Sequence, residues 1–335
     1  MNKFILATAP TEFDRHIVPA RAVARYVVMT RTWSRVVVIA VAMLGGANSA
    51  ALAHAVCGNR VFPPTLTMDD PGVGDELSLP TISYLPIPDN GGNSAGHSVD
   101  YAFEWDKTIT KDLGVAINDD YFTLHGGAQN LHGWNNLTAT LKDELPCWDT
   151  HEFLASVGVI RNFARTGSSQ LISAGAISNV SFTAPTLYLG KGLGDLPIGY
   201  LRPFAVTGEL SRQFSDSPEV SPNAWAYAAS LQYSMPYLQQ AVKALNLPAF
   251  MGRLIPLVEV STTNPDRGAT TRTIAPGVLY EAETWQLGAE ALIPANSATR
   301  QFQGKGFILQ FHLFLDDLLP NSLGAPLIDR NLWQW

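Results

Sequence analysis

Charged residues are scarce in this sequence, and so are long apolar runs. Asp, Glu, Lys and Arg make up 15% of the 335 residues, whereas 46% are hydrophobic. Soluble globular chains carry about 25% charged residues. After the N-terminal region, no segment reaches the roughly 18 consecutive apolar residues of a membrane-spanning helix. An apolar exterior assembled from alternating strands would satisfy both observations.

Positive charge is the second shortage. The net charge is −7, and no basic cluster follows the first 35 residues. Because nucleic-acid binding requires a basic surface, the sequence excludes a nucleic-acid partner. The two cysteines, Cys57 and Cys147, form neither a CxxC motif nor a zinc-ligand pattern. The cysteines therefore predict no metal site, and the sequence predicts no cofactor.

The first 55 residues have the layout of an export signal. Arg31 and Arg35 precede the apolar run VVVIAVAML, and small residues follow up to Ala55. A basic flank, a short apolar run and a small-residue cleavage site define a secretory signal peptide. Since Met29 opens a signal peptide of ordinary length, we predict that translation begins there. Residues 1–55 are then an upstream extension and a signal peptide, absent from the mature protein.

Period-2 alternation dominates the chain after residue 76. Val99, Tyr101, Phe103 and Trp105 alternate with acidic or small residues, and alternate residues of a strand face opposite sides of a sheet. Turn-forming residues separate many such segments. We predict twelve strands, at residues 76–85, 98–107, 112–124, 134–145, 149–162, 178–190, 198–213, 223–236, 252–262, 272–282, 284–294 and 305–316.

The connectors between these strands alternate in length in most places. Outer-membrane barrels have short periplasmic turns and long outer loops, and this assignment leaves both termini in the periplasm. Residues 236–250 are a long exception, and their apolar residues at helical spacing predict a short periplasmic helix. A soluble β-sandwich is the alternative, but its polar face would be richer in Lys, Glu and Arg.

The predicted fold is therefore all-β: a transmembrane antiparallel up-and-down β-barrel of about twelve strands in the bacterial outer membrane. Residues 56–75 are predicted to form a periplasmic N-terminal arm, residues 76–316 the β-barrel, and residues 317–335 a C-terminal tail. The chain ends in Trp335, and an aromatic C-terminus is typical of proteins that the barrel-insertion machinery inserts.

Acidic residues on the predicted strands indicate the nature of the lumen. A hydrated lumen tolerates charge, whereas the lipid face does not. We predict that these carboxylates line either a passage that favours cations or polar solutes, or simply a hydrated interior. The residues are Asp100, Glu104, Asp106, Glu259 and Glu290.

The two cysteines test the predicted topology. Cys57 follows the cleavage site, and Cys147 lies in a short connector that the length rule assigns to the periplasm. Because the periplasm is oxidising, we predict a disulfide between them.

A group of polar residues near the predicted outer loops could catalyse hydrolysis or bind a metal ion. Asp119, Asp120 and His125 could activate water, and His125 could join His97 and His132 in binding zinc or copper. Neither spacing is a recognised motif and GxSxG is absent, so the sequence assigns no catalytic residue.

Three segments carry a resemblance to a known family: LGKGLGDLPIGYLRPFAVTGEL, SLQYSMPYLQ and FILQFHLFLDD. Their succession of strand, short turn and strand resembles the outer-membrane barrels named for the meta-pathway of phenol degradation. They fall in the C-terminal half of the mature chain and contain no catalytic motif. The resemblance implies a barrel that passes small, often aromatic or apolar, molecules.

Three functions follow as hypotheses. The first is a passive channel for uptake of small molecules, with outer-membrane lipid and the solute as partners. The second is an outer-membrane hydrolase that uses the loop Asp and His residues. The third is a structural barrel whose interior is closed by its own side chains.

Overall fold

The computed structural model describes residues 55–89, 95–126 and 130–328, and strands dominate these ranges. A small hairpin of β1 (Ala55–Cys57) and β2 (Arg60–Phe62) precedes a sheet of thirteen strands. These are β3 (Glu76–Ile87), β4 (Gly96–Thr108), β5 (Leu113–Gly126), β6 (Leu131–Trp134), β7 (Thr138–Glu144), β8 (Phe153–Asn162), β9 (Phe182–Gly192), β10 (Phe204–Ser215), β11 (Ala224–Tyr233), β12 (Leu254–Pro265), β13 (Thr271–Glu281), β14 (Trp285–Pro294) and β15 (Gly306–Phe314).

The sheet closes on itself. Each strand pairs antiparallel with its neighbours, and the last strand, β15, returns to pair with β3. Both β6 and β7 lie along the same edge of β5 and form one interrupted wall strand. The described residues therefore form a closed barrel of twelve wall strands, which confirms the predicted fold.

The interruption between β6 and β7 falls inside the strand predicted at 134–145. There the Asn135 side chain donates to Asp120 Oδ1 at 3.1 Å, and the Asn136 side chain donates to the Ser178 carbonyl at 2.6 Å. These bonds take the place of ladder bonds, so the strand breaks at 135–137. Periodicity could not reveal this because the partner at 178 is remote in sequence.

Both ends of the described chain lie at one end of the barrel, which we call the terminal end. Leu327 and Ile328 donate to the carbonyls of Thr108 and Ile109, beside the connector between β4 and β5. The connectors at the terminal end are 109–112, 145–152, 193–203, 234–253 and 282–284; the other connectors form the distal end. Long and short connectors occur at both ends, so the predicted length rule holds only in part.

Four short α-helices lie among the described residues: α1 (Ser169–Ser173), α2 (Met235–Tyr237), α3 (Ser297–Phe302) and α4 (Leu315–Leu318). Helix α2 continues into a π-helical turn, Leu238–Val242, at the terminal end. This is the short helix predicted from the spacing in residues 236–250. In the described ranges, no helix is long and apolar enough to cross a membrane.

The exterior of the barrel wall is apolar. Alternate residues of β11 are buried and exposed along its length, with Ala and Ser facing inward and aromatic or aliphatic side chains facing outward. Water-soluble sheets present a polar outer face, whereas membrane barrels present an apolar one. The protein is thus a barrel of the outer-membrane type. Exposed outward residues include Tyr101, Trp105, Ile117, Leu141, Val157, Val206, Leu210, Trp225, Leu231, Val258, Val278, Leu287 and Leu309.

We expect this exterior to react as a lipid-facing surface. In outer-membrane fragments, the Tyr101→Cys and Trp105→Cys variants should react with a membrane-partitioning maleimide and not with a membrane-impermeant one. The Lys111→Cys variant is the control, because the Lys111 side chain is 75% exposed in a connector and should be labelled by the impermeant reagent. Efficient impermeant labelling at position 101 would mean that this face contacts water.

Candidate functional site: the occupied lumen

A stretch of chain crosses the inside of the barrel. We call residues 60–75 the lumen segment. Gln286 on β14 donates to the Pro64 carbonyl at 2.8 Å, and Ser156 on β8 donates to the Pro71 carbonyl. Strands β8 and β14 lie on opposite sides of the twelve-stranded ring. A segment that contacts both walls therefore spans the lumen.

This placement corrects the prediction of a periplasmic arm at residues 56–75. Phe62, Leu66 and Met68 are almost fully buried, and burying such side chains stabilises the folded state by roughly 1.5–3 kcal/mol each. The irregular backbone, rich in Pro and Gly, has no period that identifies its surroundings. The sequence therefore gave no sign that the segment enters the barrel.

Two wall glycines make room for the lumen segment. A Cβ atom at Gly288 would lie 2.3 Å from Leu66 Cδ1, and one at Gly190 would lie 2.8 Å from Pro71 Cγ. Both distances are shorter than a carbon–carbon contact allows. The wall and the segment are thus fitted to one another.

The segment is fixed at its start by a cluster that we call the entry anchor. The predicted disulfide between Cys57 and Cys147 is present, with a Cα–Cα distance of 5.6 Å. Arg60, which is 1% exposed, donates from Nε to Glu152 Oε2 at 3.3 Å and from Nη1 to the Pro203 carbonyl at 3.0 Å. Through these bonds the start of the segment is held at the terminal end.

Tyr237 completes the entry anchor. Its ring lies 3.8 Å below the Arg60 guanidinium, and its hydroxyl donates to Glu152 Oε1 at 2.7 Å. Burial, together with the negative charge of Glu152, raises the pKa of Tyr237 to about 12, so the hydroxyl remains a donor at neutral pH. Glu152 therefore accepts from both a cation and a phenol.

A second cluster, the exit anchor, holds the other end of the segment. Lys107 Nζ lies 2.5 Å from Asp75 Oδ1, and the Thr108 hydroxyl donates to Asp75 Oδ2 at 2.6 Å. Lys107 also donates to the carbonyls of Leu323 and Ala325 at 3.0 and 2.7 Å. The exit anchor thus joins the lumen segment, the wall and the chain beyond the last strand.

The middle of the segment interacts with one acidic and one basic wall residue. Thr67 donates through its backbone N–H to Glu259 Oε2 at 2.9 Å, and its hydroxyl donates to the same oxygen. On the far wall, Lys142 Nζ lies 2.6 Å from Asp69 Oδ2 and donates to the Gly72 carbonyl at 2.9 Å. Polar contacts on both sides hold the segment across the lumen.

Two of the five predicted acidic residues lie on the inner face of one strand. Asp100 and Glu104 are buried on β4, on the face opposite the exposed Tyr101 and Trp105. Asp100 accepts from Ser83 Oγ at 3.1 Å, and Glu104 accepts from Asn118 Nδ2 at 3.3 Å.

Of the other three, Asp106 also lies on β4, two residues after Glu104, whereas Glu259 and Glu290 lie on other strands. Glu259 and Glu290 are buried on β12 and β14, where Glu290 packs over Gly277 of the intervening strand. Asp106 borders a cavity of about 20 Å³, which is room for about one water molecule. That cavity is also lined by Asp69, Asp70 and Glu76 of the segment and the wall.

One side of the interior is apolar, which the sequence did not predict. Leu66 of the segment packs against a patch of inward-facing aliphatic side chains on β3 and β12 to β15. Alternation alone could not reveal this patch, because apolar residues stand on both faces of these strands. Its members are Leu85, Ile255, Leu257, Ala275, Leu279, Leu292 and Ile308.

A buried hydrogen-bonded chain closes the seam between β3 and β15. Ser78 Oγ lies 2.8 Å from His312 Nδ1, and His312 Nε2 lies 2.8 Å from Glu76 Oε2. Acyl-transfer triads contain the same three groups, with serine at Nε2 and the acid at Nδ1. Here the two nitrogens are exchanged and Ser78 is 1% exposed. We therefore interpret this chain as a structural link between the first and last wall strands.

The loop residues considered for hydrolysis do not converge. Asp119 and Asp120 are adjacent on β5 and so face opposite sides of the wall. His97 and His125 stack with ring centroids 5.1 Å apart, whereas His132 packs near Tyr121. In the described part of the chain, the one group with metal-ligating geometry is Cys57, Cys147 and Asp149, and its two cysteines form the disulfide.

No family model matches the chain, and no curated protein matches it either. Solved structures that resemble it are bacterial outer-membrane proteins. The COG4313 outer membrane channel from Pseudomonas putida F1 is 13% identical with a TM-score of 0.49, covering 76% of this chain and 99% of that one. The KdgM porin is 9% identical with a TM-score of 0.41, covering 70% and 98%.

Pseudomonas putida OprB at low pH is 8% identical with a TM-score of 0.31, covering 71% of this chain and 93% of that one. All three TM-scores are below 0.5, so the barrel assignment rests on the hydrogen-bonded register of this chain itself. The narrower resemblance to the meta-pathway family has no matching family model.

Proposed function

We propose that the protein is a passive outer-membrane channel for small molecules, held closed by the lumen segment. The observation that carries this proposal is that a separate stretch of chain crosses the lumen. Eight-stranded barrels are filled by their own side chains, and barrels of 16 to 18 strands contain an aqueous channel. A twelve-stranded barrel lies between these cases, and its inward residues include small ones such as Ser156, Thr186, Ser211 and Ser230. Moving the segment aside would leave a passage.

The two sides of the lumen suggest which solutes would pass. The aliphatic patch that Leu66 covers would favour apolar or aromatic molecules, in line with the resemblance noted in the sequence. The buried carboxylates Asp100, Glu104, Glu259 and Glu290 would favour cations over anions. A small molecule with an aromatic or aliphatic body, neutral or positively charged, fits both sides.

A closed structural barrel is the second candidate, and the two anchors favour it. Both ends of the segment are fixed by buried groups, Arg60 at the start and Asp75 at the end. Conductance in planar bilayers separates the two candidates. A channel gives discrete openings, while a structural barrel gives none, even when residues 63–72 are released from the walls.

We expect the interior carboxylates to set ion preference. In protein whose residues 63–72 have been replaced by a Gly/Ser linker, Glu259→Gln with Glu290→Gln should lower the cation-to-anion permeability ratio by roughly twofold, because charged groups along a pore select ions of opposite sign. Reversal potentials in a salt gradient measure this ratio. The control carries Glu219→Gln and Glu283→Gln, whose side chains are 90% and 70% exposed. Equal ratios in the two variants would contradict the assignment of these carboxylates to the lumen.

A further inference from the structure

A group of basic side chains lies at the distal end of the barrel, on neighbouring connectors. We call Arg267, Arg272, Arg300 and Lys305 the distal basic patch. All four side chains are exposed. Arg272 is the second residue of β13, Arg300 lies in α3, and Lys305 directly precedes β15. The patch therefore follows the rim over β12 to β15.

Hydrogen bonds join the connectors that carry the patch. The Arg272 N–H donates to Thr299 Oγ1 at 2.7 Å, next to Arg300, and the Asn296 side chain donates to the Thr270 carbonyl at 2.8 Å. Arg272 Nε also donates to Thr262 Oγ1 at 3.1 Å, across the outer face of β12. The cations thus belong to one ordered surface.

The two connectors between β12 and β13 and between β14 and β15 contain a single acidic residue. Asp266 is the one acidic residue in connectors 266–270 and 295–305, and it makes a bidentate pair with Arg212 at 2.8 and 2.7 Å. Glu219 lies 4.0 Å from Arg267 but is 90% exposed, and such surface pairs contribute little. The patch keeps an excess of positive charge.

The position of the patch relative to the lipid-facing wall indicates its partner. Ile274 and Phe307, on the same strands and facing outward, are 37% and 45% exposed. A basic group directly beyond an apolar outer wall lies at the level of lipid headgroups. Anionic groups at that depth complement guanidinium groups, which bind phosphate in bidentate fashion. We propose that the distal basic patch binds the phosphorylated headgroup of a membrane lipid in the leaflet at the distal end.

Lipid retention measured by native mass spectrometry tests this proposal. The probes are bisphosphorylated lipid A and the same lipid without phosphates, each added to detergent-solubilised full-length protein. The Arg267→Gln/Arg272→Gln/Arg300→Gln variant should bind the phosphorylated lipid more weakly by on the order of a hundredfold, since each basic residue near a charged surface contributes about 1 kcal/mol. The matched control removes three charges at the terminal end, with Lys111→Gln, Lys243→Gln and Arg253→Gln, and should bind as the wild type does.

Several outcomes would overturn the proposal. One is that wild type and variant bind the phosphorylated lipid equally, and another is that the terminal-end control loses as much binding as the variant. The proposal would also fail if the lipid without phosphates bound as well as the phosphorylated one, or if millimolar inorganic phosphate displaced the bound lipid. Heat-dependent gel mobility verifies that each variant is a folded barrel. If the triple variant does not fold, Arg272→Gln should weaken binding while Arg272→Lys retains most of it. Equal binding by these two would also refute the proposal.

Discussion

Replacing residues 63–72 with a Gly/Ser linker of the same length is expected to raise single-channel conductance by on the order of tenfold over the wild type. A twelve-stranded barrel encloses a wider lumen than an eight-stranded barrel, which is filled by its own side chains. The linker lacks Leu66 and Thr67, which hold the segment against the apolar patch and Glu259. It leaves Arg60 and Asp75 in place, so both anchors remain. Planar-bilayer recording at fixed salt and voltage is the measurement.

The control replaces residues 217–222 of a distal connector with a Gly/Ser linker. Glu219 and Val220 of this connector are 90% and 69% exposed, so its replacement should leave conductance unchanged. If the conductance of the control also rises, the effect comes from general loosening of the barrel. If the 63–72 variant is folded and conducts no more than the wild type, the lumen segment is not what closes the barrel.

Removing the disulfide is expected to cause the largest loss of stability. Cys57 and Cys147 are 90 residues apart in sequence, and closing a loop of that length restricts the unfolded chain by roughly 4–5 kcal/mol in the chain-entropy model. The Cys57→Ser/Cys147→Ser variant should therefore unfold at a lower urea concentration. Equilibrium unfolding in detergent, followed by tryptophan fluorescence, gives the free energy of unfolding.

Reductant supplies the internal control for this prediction. It should lower the unfolding free energy of the wild type towards that of the variant and should leave the variant unchanged. A difference below about 1 kcal/mol between the oxidised wild type and the variant would mean that the bridge adds little to folding. The Arg60 and Glu152 contacts would then carry the entry anchor.

The wall of the barrel could be predicted from the sequence because its signal is local. From Val99 to Trp105, large apolar residues alternate with acidic or small ones. A period of two is sufficient to place the two sets on opposite faces. The disulfide was also predictable, because the short connector that holds Cys147 was assigned to the same end of the barrel as Cys57. Local pattern and chain direction are all that these inferences require.

The occupied lumen could not be predicted in this way. The lumen segment has no period, and its partners Ser156 and Gln286 lie 85 and 222 residues away in sequence. Ser78 and His312, which link the first and last wall strands, are 234 residues apart in sequence. The predicted upstream extension, the start at Met29, the signal peptide and the terminal Trp335 fall outside the described residues, and they remain predictions from sequence.

Cross-linking of the lumen segment to the wall tests the central claim most directly. In native outer membranes, Thr67→Cys combined with Glu259→Cys should be joined by a short bifunctional thiol reagent, because Thr67 donates directly to the Glu259 carboxylate. Thr67→Cys combined with Val258→Cys should not be joined, since Val258 is adjacent to Glu259 but faces outward and is 43% exposed. Peptide mapping of the unreduced protein identifies the linked residues. A 67–259 link without a 67–258 link is the predicted result; a 67–258 link, or neither link in folded protein, would contradict a lumen closed by residues 60–75.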